Sequence, residues 1–378
     1  MTTFRWWAAG VAAVTLTVLL IDATVPGSLI DLDVYRAGGA AWLHGVPLYT
    51  DAFPSWLPFT YPPVAAVLFS VPAMLPLPVA AAVLTVAGLA ALTVTVLLAA
   101  PLRIRGPLAA MAVVGVCVFE PVRTTLLFGQ VNLVLMGLVA VDCLMPRTRH
   151  PRGLLVGVAA AVKLTPAIFV LFFLARRQYA AAVTTVVTFA AVTGAGMLLA
   201  PADSVTYWHT TIFDPDRIGG AMFVTNQSLR GALSRLGLPD GLWFALVAAV
   251  LAAAWRGARR ATEPVVALLL VAAAGLLASP VSWSHHWVWV VPALAVLAGR
   301  AAVPTAAVFT VGHRFLPHAR GREAEWTWWQ HVVGNTYLLA AVAFLACCLH
   351  SDLRLRRVRT GGSAEKVHHR SSMTRLKV

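Results

Sequence analysis

The sequence predicts an all-α polytopic membrane protein with about twelve transmembrane helices. Of its 378 residues, 59% are hydrophobic and only 12% are charged, whereas roughly 25% of residues are charged in soluble domains. Its mean hydropathy is +0.79, and most of its apolar segments approach the ~20 residues that a helix needs to cross a bilayer. These segments are residues 6–25, 59–76, 78–100, 108–126, 131–145, 153–175, 179–200, 240–256, 264–279, 285–299, 301–312 and 332–350.

The chain carries a formal net charge of +14. Much of the positive excess lies in short loops and in the tail 351–378, which is typical of cytoplasmic loops beside anionic lipid rather than of a nucleic-acid-binding protein. We therefore expect a multi-pass protein of the cell (plasma) membrane whose loops 26–58 and 201–239 lie outside the cytoplasm. The basic loops 101–107 and 146–152 would also lie outside under a count of twelve, so their side of the membrane stays open.

Two carboxylates directly follow the first apolar segment, in the stretch 30–39. Read as a helix, this stretch puts Asp31 on the same face as Tyr35, whereas Asp33 lies on the other side, beside Arg36 at i+3. Asp33 thus has a local cation to pair with, and Asp31 is presented as a catalytic carboxylate facing a sugar would be. From the local sequence, capping of the helix explains Asp31 equally well, because Asp is favoured at that position.

Ionisable side chains inside membrane spans are costly and usually face a functional cavity. Lys163 interrupts the segment 153–175 near its middle, where its side chain cannot easily reach the membrane surface. The proline that follows at Pro166 frees backbone groups that need partners inside the protein. Glu120 and Arg123 form a second polar break, and their i,i+3 spacing fits a local ion pair as well as a functional site.

The third polar stretch, residues 279–289, holds His285 and His286 among three tryptophans, the first of which is Trp283. Adjacent histidines point about 100° apart on a helix, and no carboxylate stands at ligand spacing, so we expect no metal. Histidines beside aromatic rings at a membrane interface suit a site where a sugar stacks on the rings and a phosphate or hydroxyl group is hydrogen-bonded.

The outer loops add further polar and aromatic candidates. In the loop 201–239 they are Trp208, Asn226 and Arg230. A cluster of this kind suits the binding of phosphate or hydroxyl groups. The loop 313–331 forms a basic and aromatic rim that includes Arg320 and Arg322. This rim fits an anionic phosphoinositol headgroup and an interfacial anchor equally well.

Six motifs, in this order, resemble the polyprenol-phosphate-mannose-dependent α-1,2-mannosyltransferases of actinobacteria, which are membrane glycosyltransferases of the GT-C class. The motifs are Asp31-Leu32-x-Val34-Tyr35, Pro58-Phe59-Thr60-Tyr61-Pro62-Pro63, Glu120-Pro121 with Gly129-Gln130-Val131-Asn132, Lys163-Leu164-Thr165-Pro166, Asn226-Gln227-Ser228, and Ser279-Pro280-x-Ser282-Trp283-x-His285-His286-Trp287. The likeness extends to about residue 350 and is strongest to the members that extend phosphatidylinositol mannosides in mycobacteria.

The resemblance implies a GT-C fold, in which a bundle of membrane helices carries short amphipathic helices in its outer loops. It implies a catalytic module at 1–239, further transmembrane helices at 240–350 and a basic cytoplasmic tail at 351–378. The active site would lie on the extracytoplasmic side, where both lipid-linked substrates reach it.

The implied reaction moves mannose from polyprenyl-phosphate-mannose to a mannosyl acceptor, with inversion, and forms an α-1,2 linkage. The aspartate that the family needs as its general base corresponds to Asp31. Candidate groups for the donor phosphate and sugar are Lys163, Arg230, His285, His286, Arg123 and Asn226. Candidate aromatic residues for stacking on sugars are Tyr35, Tyr61, Trp208 and Trp283.

The expected partners are the polyprenyl-phosphate-mannose donor, a glycolipid acceptor such as a phosphatidylinositol mannoside, and membrane lipids. We expect no nucleic acid, no cofactor and no metal. Two alternatives remain open, namely a transferase that uses another polyprenyl-phosphate sugar and a flippase or transporter of lipid-linked sugars. A carboxylate without a partner on an extramembrane helix favours a transferase, since a carrier does not need one.

Overall fold

The computed structural model describes residues 28–51, 53–55, 57–100, 115–297 and 302–350, and the regular elements within these ranges are helical. The α-helices are α1 (Ile30–Leu43), α2 (Pro63–Met74), α3 (Leu77–Ala99), α4 (Glu120–Phe128), α5 (Asn132–Leu144), α6 (Leu154–Val162), α7 (Val170–Ala175), α8 (Tyr179–Leu199), α9 (Pro201–His209), α10 (Leu229–Arg235), α11 (Asp240–Arg260), α12 (Pro264–Ala278), α13 (Val290–Val296), α14 (Ala302–Thr310), α15 (Trp328–Gly334) and α16 (Thr336–His350). Short 3₁₀ helices include Thr165–Phe169 and Ser284–Trp289. The predicted all-α class is confirmed, whereas the predicted span 6–25 and tail 351–378 lie outside the described residues.

Three of the described helices, α3, α8 and α11, are long and apolar enough to cross a membrane. Two bent pairs, α4 with α5 and α15 with α16, raise this number to five if each pair is one span. Other predicted spans contain shorter apolar helices, such as α2 and α12. Membrane-length helices are therefore present, and the chain has the helical composition of a membrane protein.

Two predicted spans are broken at their polar residues. The segment 153–175 divides into α6 and α7, with Lys163 in an extended conformation and a 3₁₀ turn at Thr165–Phe169 between them. Pro166 has no amide hydrogen for a continuous helix, which favours a break here. The segment 285–299 likewise opens with the 3₁₀ turn Ser284–Trp289 before α13 begins. Both breaks bring side chains to one cavity.

Helices α4 and α5 meet at an angle of 118°. Gly129 ends α4 in the left-handed region, with φ of 65°, which most residues with a side chain avoid. A Cβ atom here would lie 2.7 Å from Cβ of Leu32 on α1. The bend therefore packs directly against α1 and presents Gln130 to the same cavity as the first turn of that helix.

Helix α1 is held in place by its close approach to α2. A Cβ atom at Gly39 would collide with the backbone carbonyl of Phe69, and one at Gly38 would collide with the ring of Phe59. Arg36 extends from the same helix and donates two hydrogen bonds of 2.5 Å to the carbonyl oxygens of Pro72 and Leu75. Since backbone positions on α2 fix α1, its first turn has a defined place relative to α2.

Candidate active site

A cavity of about 810 Å³ opens where α1, the break after α6 and the Ser284–Trp289 turn converge. Residues of the loop between α9 and α10 form part of its wall. Asp31, Lys163, His285 and His286 all line this cavity. These four residues come from three segments that are far apart in the sequence, so the fold brings the principal predicted site residues together.

Asp31 faces the cavity from the first turn of α1. The helix begins after Leu29, which occupies the N-cap position in a left-handed conformation and makes no side-chain cap bond. Capping therefore does not explain Asp31. Asp33 is exposed. The predicted pairing of Asp33 with Arg36 is wrong, because the Arg36 guanidinium donates hydrogen bonds to the backbone carbonyl oxygens of Pro72 and Leu75 instead.

Burial in the cavity raises the pKa of Asp31 from 3.8 to about 6. A hydrogen bond from the Gln130 side chain and the positive charge of Lys163 act in the opposite direction and limit the rise. The carboxylate is thus ionised at neutral pH, yet it accepts a proton more readily than an ordinary aspartate. A general base works best with its pKa close to the operating pH.

The Lys163 ammonium group lies inside the protein and contacts three polar or aromatic neighbours. It donates to Oδ1 of Asn132 over 3.0 Å, lies 3.4 Å from Nε2 of His286, and stands 5.4 Å from the centre of the Tyr61 ring. Because an ammonium group only donates, Nε2 of His286 is the acceptor and the neutral ring carries its proton on Nδ1. These contacts hold the Lys163 side chain inside the protein.

The two histidine rings are perpendicular, with centres 4.7 Å apart. The carbonyl oxygen of His285 accepts hydrogen bonds from Thr125 Oγ1 and Asn132 Nδ2, each of 3.0 Å. Nε2 of His285 is buried and has no hydrogen-bond partner among the described residues. The backbone of the turn is therefore fixed by α4 and α5, while one buried ring nitrogen is left without a hydrogen bond among the described residues.

Tyr61 lines the cavity, but Tyr35 lies behind it and is only 1% exposed. Their hydroxyl oxygens are 2.8 Å apart, and the Tyr35 hydroxyl also donates to Oε1 of Gln130 over 2.8 Å. The predicted stacking role of Tyr35 is therefore wrong, since packing against Phe69 with ring centres 4.3 Å apart covers its face. Tyr35 instead orients the side-chain amide of Gln130, which forms a hydrogen bond with the Asp31 carboxylate.

Two predicted donor-binding residues are engaged elsewhere. Arg230 does not line the cavity, because its guanidinium pairs with Asp216 at 3.1 Å and lies 3.7 Å from Asp240. Asn226 is fully buried, and its side chain bonds backbone groups of its own loop and of the segment before Trp283. Asn226 joins two stretches of the cavity wall and has no free group for a substrate.

Two further predicted site residues, Arg123 and Trp208, do not line the cavity. Arg123 does not line the cavity and interacts electrostatically with the buried Glu120, as the alternative of a local pair suggested. Trp208 does not line the cavity either, because its ring packs against Phe189 and Tyr207. The neighbouring Tyr207 takes that place in the wall. Trp283 lines the cavity, which leaves it as a candidate for sugar stacking.

Residues 59–280 match the family model of glycosyltransferase family 87. This range is more than half of the chain. The chain belongs to glycosyltransferase family 87. The matched range includes Lys163 but neither Asp31 nor the two histidines. The cavity therefore contains residues from before and after the part of the chain that the family model covers.

The chain is similar to several curated enzymes of this kind. It is 41% identical to the polyprenol-phosphate-mannose-dependent α-(1-2)-phosphatidylinositol mannoside mannosyltransferase of Mycobacterium tuberculosis, over 84% of this chain and 83% of the relative. The enzyme of the same description from Mycolicibacterium smegmatis is 42% identical, over 84% of this chain and 82% of the relative. A phosphatidylinositol pentamannoside mannosyltransferase of M. tuberculosis is 37% identical, over 74% of this chain and 70% of the relative. No solved structure matches the chain. The resemblance seen in the six motifs is thus confirmed.

Several residues in and beside the cavity of this family 87 protein escaped the sequence-based candidate set. Gln130 and Asn132 belong to a quoted motif, but only their contacts with Asp31, Lys163 and His285 give them a place in the site. Gln130 lines the cavity, as do Tyr207, Arg217 and Arg314. Within the described part of the chain, no group of three His, Cys, Asp or Glu side chains is arranged to hold a metal ion.

Proposed function

We propose that this family 87 protein is an inverting mannosyltransferase that moves mannose from polyprenyl-phosphate-mannose to a phosphatidylinositol mannoside or related lipoglycan. The product would carry a new α-1,2 linkage. The observation that carries the proposal is one cavity in which a carboxylate with a raised pKa stands near a buried ammonium group and two histidines. The descriptions of the mycobacterial relatives support the choice of donor, linkage and acceptor.

In this mechanism, Asp31 is the general base. Its carboxylate removes the proton from the acceptor hydroxyl as the hydroxyl oxygen attacks the anomeric carbon of the donor. The bond between the anomeric carbon and the phosphate oxygen breaks, and attack from the opposite side converts the β-linked donor into an α-linked product. A positioned base typically accelerates such a step about 10²–10⁴-fold. Gln130 keeps the carboxylate oriented and ionised.

The leaving group is a phosphate monoester that gains negative charge as this bond breaks. Lys163 supplies a fixed positive charge, and the rings of His285 and His286 supply hydrogen-bonding nitrogens within the same cavity. Groups that are oriented before the reaction stabilise developing charge without a further reorganisation cost. Tyr61 and Trp283 offer ring faces to the sugars.

The same proposal includes a location and a domain division. We infer a plasma-membrane protein of about twelve crossings, with the broken helices included, and an active site on the extracytoplasmic side. The catalytic module would span 1–239, and the region 240–350 would complete the cavity through its histidine turn. The basic tail 351–378 would lie in the cytoplasm. Accessibility labelling of single cysteines placed at Asp214 and at His150 measures which side of the membrane each loop faces.

The test uses the purified full-length protein in lipid nanodiscs with radiolabelled polyprenyl-phosphate-mannose and a phosphatidylinositol mannoside acceptor. We expect a labelled glycolipid that an α-1,2-specific mannosidase digests. Polyprenyl-phosphate arabinose and glucose serve as competing donors. Transfer of one of these sugars in place of mannose would overturn the choice of donor. Movement of the lipid-linked sugar across vesicle membranes without any transfer would favour the flippase or transporter.

A further inference from the structure

Two arginines that lie outside the predicted donor set line the cavity, Arg217 and Arg314. By contrast, the sequence-based candidates for an anionic headgroup, Arg320 and Arg322, do not line it. Both are exposed, and the Arg322 guanidinium donates to the carbonyl oxygen of His318 on its own turn. A second anion in this cavity would therefore meet Arg217 or Arg314 first.

The Arg217 guanidinium has no carboxylate partner among the described residues, although its loop is rich in acids. Asp216 and Asp240 contact Arg230. Asp214 accepts a hydrogen bond of 3.3 Å from the backbone amide of Arg217 itself. Nε of Arg217 is buried and has no hydrogen-bond partner within the described part of the chain. Two of the three nearby carboxylates thus pair with Arg230, and the third, Asp214, lines the cavity beside Arg217 without forming an ion pair with it among the described residues.

Arg217 and Lys163 act on different parts of the cavity. The charge of Lys163 acts on Asp31, whereas the negative charge of Asp203 and the positive charge of Arg217 act in opposite directions on Tyr49. Tyr49 packs against Tyr207, a wall residue, with ring centres 5.4 Å apart. Arg217 therefore lies near the pair formed by Tyr49 and Tyr207, and its charge is not among those that act on Asp31, His285 or His286.

Arg217 is also connected to a candidate sugar-stacking residue. Two positions after it, Gly219 has φ of 132° and approaches the Trp283 indole so closely that a Cβ atom would lie 2.9 Å from the ring. Arg314, in contrast, stands over the Phe128 ring at 5.6 Å and acts electrostatically on His285, so it belongs with the histidine group. The Trp283 ring, which contacts Gly219, and the Arg217 guanidinium on the same loop as Gly219 both line the cavity, and together they suit a glycan that ends in an anionic group.

The donor and the acceptor each carry a phosphate, and the position of each phosphate relative to the reacting atoms indicates which cation it contacts. The donor phosphate is bonded to the anomeric carbon that reacts at Asp31, so it must lie beside Lys163. The phosphate of a phosphoinositol glycolipid is separated from the reacting hydroxyl by its inositol and sugar rings, so it must lie farther from Asp31. We propose that Arg217 binds the phosphate diester of the acceptor glycolipid, an assignment that rests on the proposed function.

The experiment compares Arg217→Gln with Arg230→Gln, which removes one positive charge from the same region but from outside the cavity. Each purified full-length protein is assayed with two acceptors, a phosphatidylinositol mannoside and octyl α-mannoside, which has no phosphate. For Arg217→Gln we expect the apparent KM for the phosphate-bearing acceptor to rise about tenfold to a hundredfold, as loss of a hydrogen bond to a charged group implies. The KM values for octyl α-mannoside and for the donor should change less than about twofold, which is within the range of a surface substitution.

Arg217→Lys should recover part of the affinity for the phosphate-bearing acceptor, because lysine keeps the positive charge but cannot form the bidentate hydrogen bonds of a guanidinium. Binding of the phosphatidylinositol mannoside in the absence of donor is measured in parallel, by tryptophan fluorescence. Weaker binding in Arg217→Gln would uphold the assignment even if the wild-type protein transferred no mannose, a result that would refute only the proposed function. Equal effects on both acceptors, an effect confined to the donor, or unchanged binding would overturn the assignment to Arg217.

Discussion

Replacement of Asp31 by Asn removes the proposed base and, at the same time, a destabilising charge. The cavity raises the pKa of this carboxyl from 3.8 to about 6, so the folded protein binds a proton at Asp31 more tightly than the unfolded chain does. Ionisation of Asp31 therefore costs folding free energy as the pH rises through 4 to 6, and the full cost is present above pH 6. A rise from 3.8 to about 6 corresponds to about 3 kcal/mol, at about 1.4 kcal/mol for each tenfold change.

An asparagine side chain at this position would resemble the protonated carboxyl in shape and charge. At pH 7.5 we therefore expect Asp31→Asn to raise Tm by about 4 °C. This value is the gain of about 3 kcal/mol divided by the unfolding entropy expected for a chain of this length. Below pH 4 the wild-type carboxyl is protonated, and the two Tm values should agree. Mannosyl transfer should fall at least about 10²-fold at every pH, because positioned proton transfer is lost.

Thermal unfolding in detergent and initial rates of labelled mannose transfer measure these two effects on the same preparations. Asp33→Asn is the matched control, because Asp33 is exposed on the same helix turn, and it should keep both Tm and rate. The wild-type rate should decline as the pH falls below about 6. A decline centred near 4, or a lower Tm for Asp31→Asn at pH 7.5, would refute the account of burial. Loss of activity in Asp33→Asn but not in Asp31→Asn would refute the choice of base.

Three other predictions concern the surroundings of this carboxylate. Lys163→Met should lower kcat about 10²–10³-fold and move the acidic limb of the rate profile to higher pH, because the Lys163 charge lowers the pKa of Asp31; an unmoved limb would contradict their coupling. Gly39→Ala should cost about 1–3 kcal/mol of stability, seen as a lower Tm, because its Cβ would collide with the Phe69 carbonyl; Gly241→Ala, with open space around it, is the control and should leave Tm unchanged or raise it. A strong chelator should leave the transfer rate within about twofold, since Lys163 and the histidines can neutralise a monophosphate without a cation; full loss of activity, restored by magnesium or manganese, would contradict this.

The principal site residues could be predicted from the sequence because each is conspicuous along the chain. Lys163 interrupts an apolar run, His285 and His286 stand among tryptophans, and Asp31 follows a membrane-length segment. Burial of charge in a membrane is so costly that such residues rarely occur without a function. The all-helical class is predictable for the same reason, since a backbone in lipid must satisfy its own hydrogen bonds.

The roles of the remaining residues depend on partners that are distant in the sequence. Arg230 and Arg217 look alike in their loop, but Asp240, ten residues beyond Arg230, and Asp216 neutralise only the first of them. The Asn226 side chain forms hydrogen bonds with the backbone of Pro280 and Ser282, which lie more than fifty residues farther along the chain. Local periodicity predicts which face of a helix a residue occupies, but it carries no information about which distant group lies opposite. A single polar contact of this kind decides whether a charged side chain is available to a substrate or serves the fold.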